Sequence, residues 1–563
     1  MRYRTIYALV CLLLLAVTGI QADNLTSPIS LVPCPVSIVP GTGNFHFSAK
    51  TTFAVENEAQ AVEVRQLTAL FTRAAGFTPR IKVGSKKGDI CLVTDAGLKN
   101  ESYKLEITSK RITIHAADAQ GFFYALQSIR QLLPAAIETT PASASASPST
   151  SADIDWTVPA VTITDQPRFG YRGLLVDVAR FFSPKENLLR IIDCMAMLKL
   201  NKLHFHLTDD NGWRIEIKKY PELTEIGSRR VDRPGKSFPD RRNPRQGEPT
   251  VEKGYYTQDE IREIVAYAGE RHIEVIPEIE MPAHSNAALA AYPLLACPVV
   301  NKYIGVLPGL GGENADVIYC AGNDSVFTFL QDVLDEVLEL FPSKYIHLGG
   351  DEARKTHWEV CPLCQARMKE EKLANEEELQ GYFMGRVARY VQGKGREVIG
   401  WDELTNATIP KDFIILGWQK YGEAAVKAAE LGHRFIMTPA RIMYLIRYQG
   451  PQWFEPLTYF GNNTLKDVYD YEPIQKDWSQ HTASLLMGVQ ACMWTEFCNA
   501  PGCGLSAFPP PVRIGGGGLD AAGTQGLEGV SGGYGWLQRT SGGEGHRLRP
   551  FHVQHPADGD TEE

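Results

Sequence analysis

Eight times between residues 171 and 491 the chain repeats one order: a short apolar run, then polar or aromatic residues, then a stretch with apolar positions at helical spacing. The runs are 173–177, 202–207, 273–277, 345–348, 396–399, 413–416, 434–437 and 487–491. Continuous apolar runs of this length suit strands buried on both faces, and the amphipathic stretches between them suit crossover helices. Eight such units predict a (β/α)8 TIM barrel with its chemistry at the C-terminal ends of the strands. The residues found there are Asp209-Asp210, Glu278, Asp351-Glu352, Trp401-Asp402, Trp418 and Trp494-Thr495-Glu496.

Upstream the period changes. Residues 62–74 and 122–133 have helical spacing, whereas 103–107 and 111–115 alternate like half-buried strands. This predicts a smaller α+β, non-catalytic domain over 23–137, ahead of a catalytic domain at 154–500. Residues 138–153 are dominated by Thr, Pro, Ala and Ser and are expected to be a linker. In 501–563 there are 16 glycines in 63 residues, against 34 in the preceding 500, and no helical period. The helix that should follow the last strand is therefore not encoded. An altered reading frame after about Ala500 accounts for this tail better than a flexible extension does.

Residues 1–22 combine Arg2 and Arg4 with an apolar run and a small residue, Ala22, which predicts an export signal and a periplasmic or extracellular protein. No other segment approaches the roughly 20 apolar residues of a membrane span. A net charge of −9 supplies no basic face for nucleic acid or anionic lipid, so a neutral substrate such as a glycan fits better. The oligomeric state is not encoded. Ten of the 11 cysteines follow the signal. Cys297 and Cys320 bracket a Gly/Pro-rich loop, and Cys361 and Cys364 form a close pair beside His357. One pair and a histidine fall short of four zinc ligands, so disulfides or free thiols are expected and no metal.

The segment 345–352 carries the sharpest chemical signal. An apolar strand ends on Gly349-Gly350 and then presents Asp351 and Glu352. Acid pairs are common, but at the end of a parallel strand this one faces the ligand crevice. Trp401, Trp418 and Trp494 at strand ends suit the C–H faces of a sugar. A carboxyl among such rings and beside another carboxylate should have a raised pKa, keeping Glu352 protonated as a general acid. Asp210, Glu280 and His284 are candidates to orient it. Arg172 is either a partner for a barrel carboxylate or a fork of donors for sugar hydroxyls. His204 and His206 alternate on the second strand, which leaves a metal-dependent barrel amidohydrolase as the rival chemistry.

Six ordered segments together resemble the family 20 glycoside hydrolases, the β-N-acetylhexosaminidases: 171–180, 204–214, 277–284, 347–352, Gly400-Trp401-Asp402-Glu403 and Trp494-Thr495-Glu496. The resemblance runs from about residue 30 to Asn499. It implies exo-acting, retaining, cofactor-free release of terminal N-acetylglucosamine or N-acetylgalactosamine from glycans. In that family the substrate's own acetamide replaces the enzyme nucleophile. By the same resemblance Glu352 is the acid and base, Asp351 holds the acetamide N–H, and Tyr444 takes its oxygen. Trp401, Trp418 and Trp494 wall the pocket, and Arg172 and Glu496 bind outer hydroxyls. Two departures stand out: Ile446 occupies a position where the family commonly has an aspartate, and the last barrel helix is missing. The second makes a catalytically impaired, glycan-binding relic the alternative function.

Overall fold

The computed structural model of the protein describes residues 29–138 and 154–497, Pro456 apart. The export signal, most of the expected linker and the glycine-rich tail lie outside the described residues.

The first domain is a seven-stranded sheet with two helices. Its strands are β1 (Ser37–His46), β2 (Thr52–Val55), β3 (Arg80–Val83), β4 (Ile90–Thr94), β5 (Tyr103–Ile107), β6 (Ile112–Ala116) and β7 (Thr157–Asp165), in the order β1-β7-β5-β6-β4-β2-β3. Helix α1 (Glu58–Ala75) starts where the Asn57 side chain accepts the Gln60 N–H and stops at Gly76 in the left-handed conformation. Helix α2 (Ala119–Leu132) begins in the same way on Asp118. The alternation of β5 and β6 buries Tyr103, Leu105, Ile107, Ile112 and Ile114 against these helices. Strand β7 corrects the expected boundary at 154. It pairs with β1 and β5 in the first sheet, so the chain returns to that domain before entering the barrel.

All eight expected barrel strands form, within a residue or two of their apolar runs. They are β8 (Tyr171–Asp177), β9 (Lys202–His206), β10 (Glu274–Glu278), β11 (Tyr345–His347), β12 (Glu397–Trp401), β13 (Ile414–Gly417), β14 (Phe435–Met437) and β15 (Leu486–Met493). Every neighbouring pair is parallel, and β15 closes on β8. Helices α3 (Lys185–Met197), α4 (Gln258–Gly269), α5 (Asp324–Leu340) and α6 (Glu376–Gly393) follow the first four strands. Only a short 3-10 turn, Asp402–Asn406, separates β12 from β13.

The first domain joins the barrel at the N-terminal ends of its strands. Arg172, second residue of β8, is 1% exposed and donates to Glu101 (2.7 Å), the Tyr124 hydroxyl (2.8 Å) and the Lys199 carbonyl (2.9 Å). Beside it the Lys199 ammonium is 2.7 Å from Asp165 and 2.9 Å from the Tyr103 hydroxyl. These charges are buried but paired, so removing one partner leaves the other without compensation.

Candidate active site

Strand β11 ends in a turn that two glycines make possible. Gly349 and Gly350 have φ of 69° and 105°, and a side chain on Gly349 would begin 1.8 Å from Glu280 Oε2. Glu352 is also left-handed, at φ 49°. The turn sends the two acids to different places: the Asp351 side chain is 14% exposed, whereas that of Glu352 is 59% exposed at the rim.

His284, from the loop after β10, ties the acids together. Its Nε2 lies 3.4 Å from Asp351 Oδ2 and 3.6 Å from Glu352 Oε2, while Nδ1 lies 3.3 Å from Asp210 Oδ2. Asp210 is fixed in turn by the backbone and side-chain amides of Asn286, at 3.1 and 3.0 Å. Burial disfavours an imidazolium here, but Asp209, Asp351 and the contact with Asp210 outweigh it and raise the His284 pKa well above its ordinary value. Its contact with His284 holds Glu352 below the usual glutamate range. That corrects the sequence expectation of a raised Glu352. In this conformation the carboxyl is not enclosed by tryptophans and faces water and a cation instead.

Below the acids lies a second charged group. Glu278 is fully buried, with His206 in contact, His204 Nε2 at 3.0 Å and His347 Nδ1 at 2.7 Å; the Trp401 Nε1–H donates to it at 2.9 Å. His204 and His206, the motive for an amidohydrolase, both face this carboxylate. Glu280 packs beneath the glycine turn and does not reach Glu352. Burial, Asp351 and Glu278 push its pKa well up.

An aromatic cage stands beside Asp351. Trp418 and Tyr444 stack at 6.0 Å with planes 12° apart, and Tyr444 and Trp401 lie 5.8 and 6.1 Å from Trp494. The Trp418 indole N–H donates to Glu403 at 3.0 Å. Burial, then the charges of Asp351 and Asp402, push Glu403 up to about 9, so it is a neutral acid at pH 7. Burial also raises Glu496 to about 7, against the attraction of Arg180.

Three placements differ from or extend the sequence expectation. Arg172, expected at sugar hydroxyls, sits at the opposite end of the barrel in the domain joint. Arg180, just beyond β8, occupies the mouth: its guanidinium is 2.7 Å from Asp209 Oδ2 and 4.9 Å from the Trp494 ring centroid. Its position eight residues after Arg172, past the strand end, was the available signal. Ile446 is buried among the barrel's apolar side chains and offers no polar atom to a ligand from its side chain.

A barrel with this arrangement of acids, imidazole and aromatic rings at its mouth has the form of a glycoside hydrolase. Residues 169–509 match the catalytic domain of glycosyl hydrolase family 20, and residues 28–166 match domain 2 of that family. The chain belongs to glycosyl hydrolase family 20, which displaces the amidohydrolase alternative. It is 38% identical over 498 residues to a beta-hexosaminidase of Porphyromonas gingivalis, covering 86% of this chain and 60% of that one. A beta-hexosaminidase of Vibrio furnissii is 32% identical, over 87% of this chain and 77% of its own. The solved exo beta-N-acetylglucosaminidase of Vibrio harveyi in complex with N-acetylglucosamine superposes with a TM-score of 0.75 at 28% identity, covering 91% of this chain and 78% of that chain. For the beta-N-acetylhexosaminidase of Bacteroides fragilis the TM-score is 0.72 at 29% identity, over 91% and 96%.

Proposed function

We propose that the protein is an exported, exo-acting β-N-acetylhexosaminidase that releases terminal N-acetylglucosamine or N-acetylgalactosamine from glycans with retention, by substrate-assisted catalysis and without a cofactor. One observation carries the mechanism: the acid oxygens of Asp351 and Glu352 approach the same imidazole nitrogen, at 3.4 and 3.6 Å. They lie side by side. An ordinary retaining pair instead flanks the sugar from opposite faces at about 5 Å, one member attacking C1. Neighbouring acids suit a division of labour in which the acetamide oxygen of the sugar is the nucleophile.

On this proposal Glu352 protonates the departing oxygen while the acetamide oxygen bonds to C1, giving an oxazolinium ion and the free aglycone. Asp351 accepts the acetamide N–H and balances the positive charge, and Tyr444 donates to the acetamide oxygen inside the cage. Water then attacks C1 and gives a proton to Glu352, which restores the sugar and the acid. His284 and Glu352 share the proton that the first step needs: water favours it on His284, and a sugar that covers Glu352 draws it to the carboxyl. The aromatic rings, Arg180 and Glu496 hold the rest of the sugar. The leading stretch of residues 1–22 supports export.

The test is an aryl β-glycoside series in which only the 2-substituent changes. The 2-acetamido compound should be hydrolysed at least about 10³-fold faster than the 2-hydroxyl compound, because an attached nucleophile has a high effective concentration. Equal rates would remove the substrate from the mechanism. Failure of soluble, correctly folded protein to turn over either compound would favour the glycan-binding relic.

A further inference from the structure

Away from the barrel mouth, four cysteines from three segments meet in one buried cluster. Cys297 follows the short 3-10 turn Pro293–Leu295, Cys320 lies just before α5, and Cys361 and Cys364 begin the helix Pro362–Glu371. All four side chains are buried, and their sulfur atoms lie within 4.8 Å of one another. Cys364 Sγ is 3.7 Å from both Cys297 Sγ and Cys320 Sγ, and Cys320 Sγ is 3.8 Å from Cys361 Sγ. Sulfurs at the corners of a tetrahedron with zinc–sulfur bonds of about 2.3 Å are separated by about 3.8 Å. The contacts run in one chain, Cys297–Cys364–Cys320–Cys361, at nearly equal spacing, so that Cys320 and Cys364 each touch two other sulfurs, as the corners of a tetrahedron do.

The backbone is shaped to the same end. Cys361-Pro362-Leu363-Cys364 has the two-residue spacing of a zinc knuckle. Gly322 lies so close to it that a side chain there would begin 2.1 Å from the Leu363 carbonyl carbon and 2.5 Å from the Cys364 nitrogen. His357, the nearest sequence candidate for a further ligand, is directed elsewhere: its Nδ1 is 3.1 Å from the Asp316 carbonyl oxygen.

We propose that Cys297, Cys320, Cys361 and Cys364 bind one structural zinc ion as thiolates, the four thiols releasing their protons as the metal enters. This revises the sequence expectation of no metal, because the fold brings the two separated cysteines onto the close pair. The ion clamps two loops that frame the active site. One, between β10 and α5, reaches the site through Leu307, whose N–H donates to the Asp210 carbonyl at 2.9 Å. The other carries Asp351 and Glu352 and is already laced to the first by the Trp358 indole N–H on the Tyr319 carbonyl (2.9 Å) and by Arg354 on the Gly312 carbonyl (2.9 Å). The clamp is independent of the hydrolytic chemistry, since no cysteine of the cluster touches the acids.

The test uses the full chain, produced with zinc in the medium and purified without chelator. Elemental analysis should find about one zinc per chain. A mercurial thiol reagent should release that zinc as it titrates the four cysteines. Cobalt in place of zinc should give the thiolate charge-transfer and tetrahedral ligand-field bands of an S4 site. Removing the metal should lower the melting temperature by at least about 5 °C, with zinc alone restoring it. Cys297→Ser should lose the zinc, whereas Cys34→Ser should keep it. The wild-type measurements decide the matter even where Cys297→Ser does not fold. Metal-free native protein that takes up no zinc, or peptide maps that show Cys297 and Cys320 in disulfides, would overturn the assignment.

Discussion

His284 Nδ1 stands 3.3 Å from Asp210 Oδ2, so the imidazole that meets Asp351 and Glu352 is held from behind by a third, buried acid. Removing that anion lowers the His284 pKa. We predict that Asp210→Asn moves the alkaline limb of the kcat/KM profile to lower pH, because the proton shared by His284 and Glu352 is then lost sooner. Stability has the matching sign. The raised pKa of His284 contributes fully below its unfolded value near 6.5, and this contribution disappears as pH rises through the folded value. A pH–rate profile whose alkaline limb does not move would show that His284 is not part of the acid.

On the proposed mechanism Glu352→Gln cannot supply the first proton. Turnover of N-acetylglucosaminides with poor leaving groups should fall by about 10³-fold, and less with activated aryl groups that depart unaided. An equal loss across leaving groups, measured as a Brønsted series, would place Glu352 outside proton transfer.

Arg172 and Arg180 should separate cleanly. Arg172→Met leaves Glu101 without its partner in the domain joint and should cost about 3 kcal/mol of stability with KM unchanged. Arg180→Lys should instead raise KM, with a smaller loss of stability. Melting curves alongside steady-state kinetics on both variants check this, and a KM effect confined to Arg172→Met would reverse the assignment.

Glu403 is a neutral acid that unfolding would allow to ionise. Its folded pKa of about 9 lies above the unfolded value, so the folded state holds a proton the unfolded state has lost and stability falls as pH rises from about 5 to 9. Glu403→Gln keeps an acceptor for Trp418 and removes that slope. The melting temperature of the variant relative to wild type should therefore climb between pH 5 and 8.5, and a constant difference would contradict the raised value.

Much of this was legible in the chain. Parallel barrel strands are buried on both faces, so their apolar runs stood out, and the chemistry followed from what stood after each run. Three features depended on folding at a distance. Strand β7 lies beyond a low-complexity stretch yet pairs with β1 and β5, and no local pattern reveals its partners. The downward shift of the Glu352 pKa comes first from His284, which arrives from another strand's loop, whereas the sequence shows only the neighbouring Asp351. Arg172 and Arg180 differ only in which end of β8 they occupy, and an arginine looks the same at either.

The consecutive left-handed turns at Gly349 and Gly350 set a boundary for redesign. A library aimed at new sugar preference has no room at those two positions, because any added carbon collides with Glu280 Oε2 at the first or Leu404 at the second. Variation belongs instead at positions such as Ile446, whose side chain packs in the cluster that holds Trp401 and Trp494, so that Tyr444 and both acids keep their station.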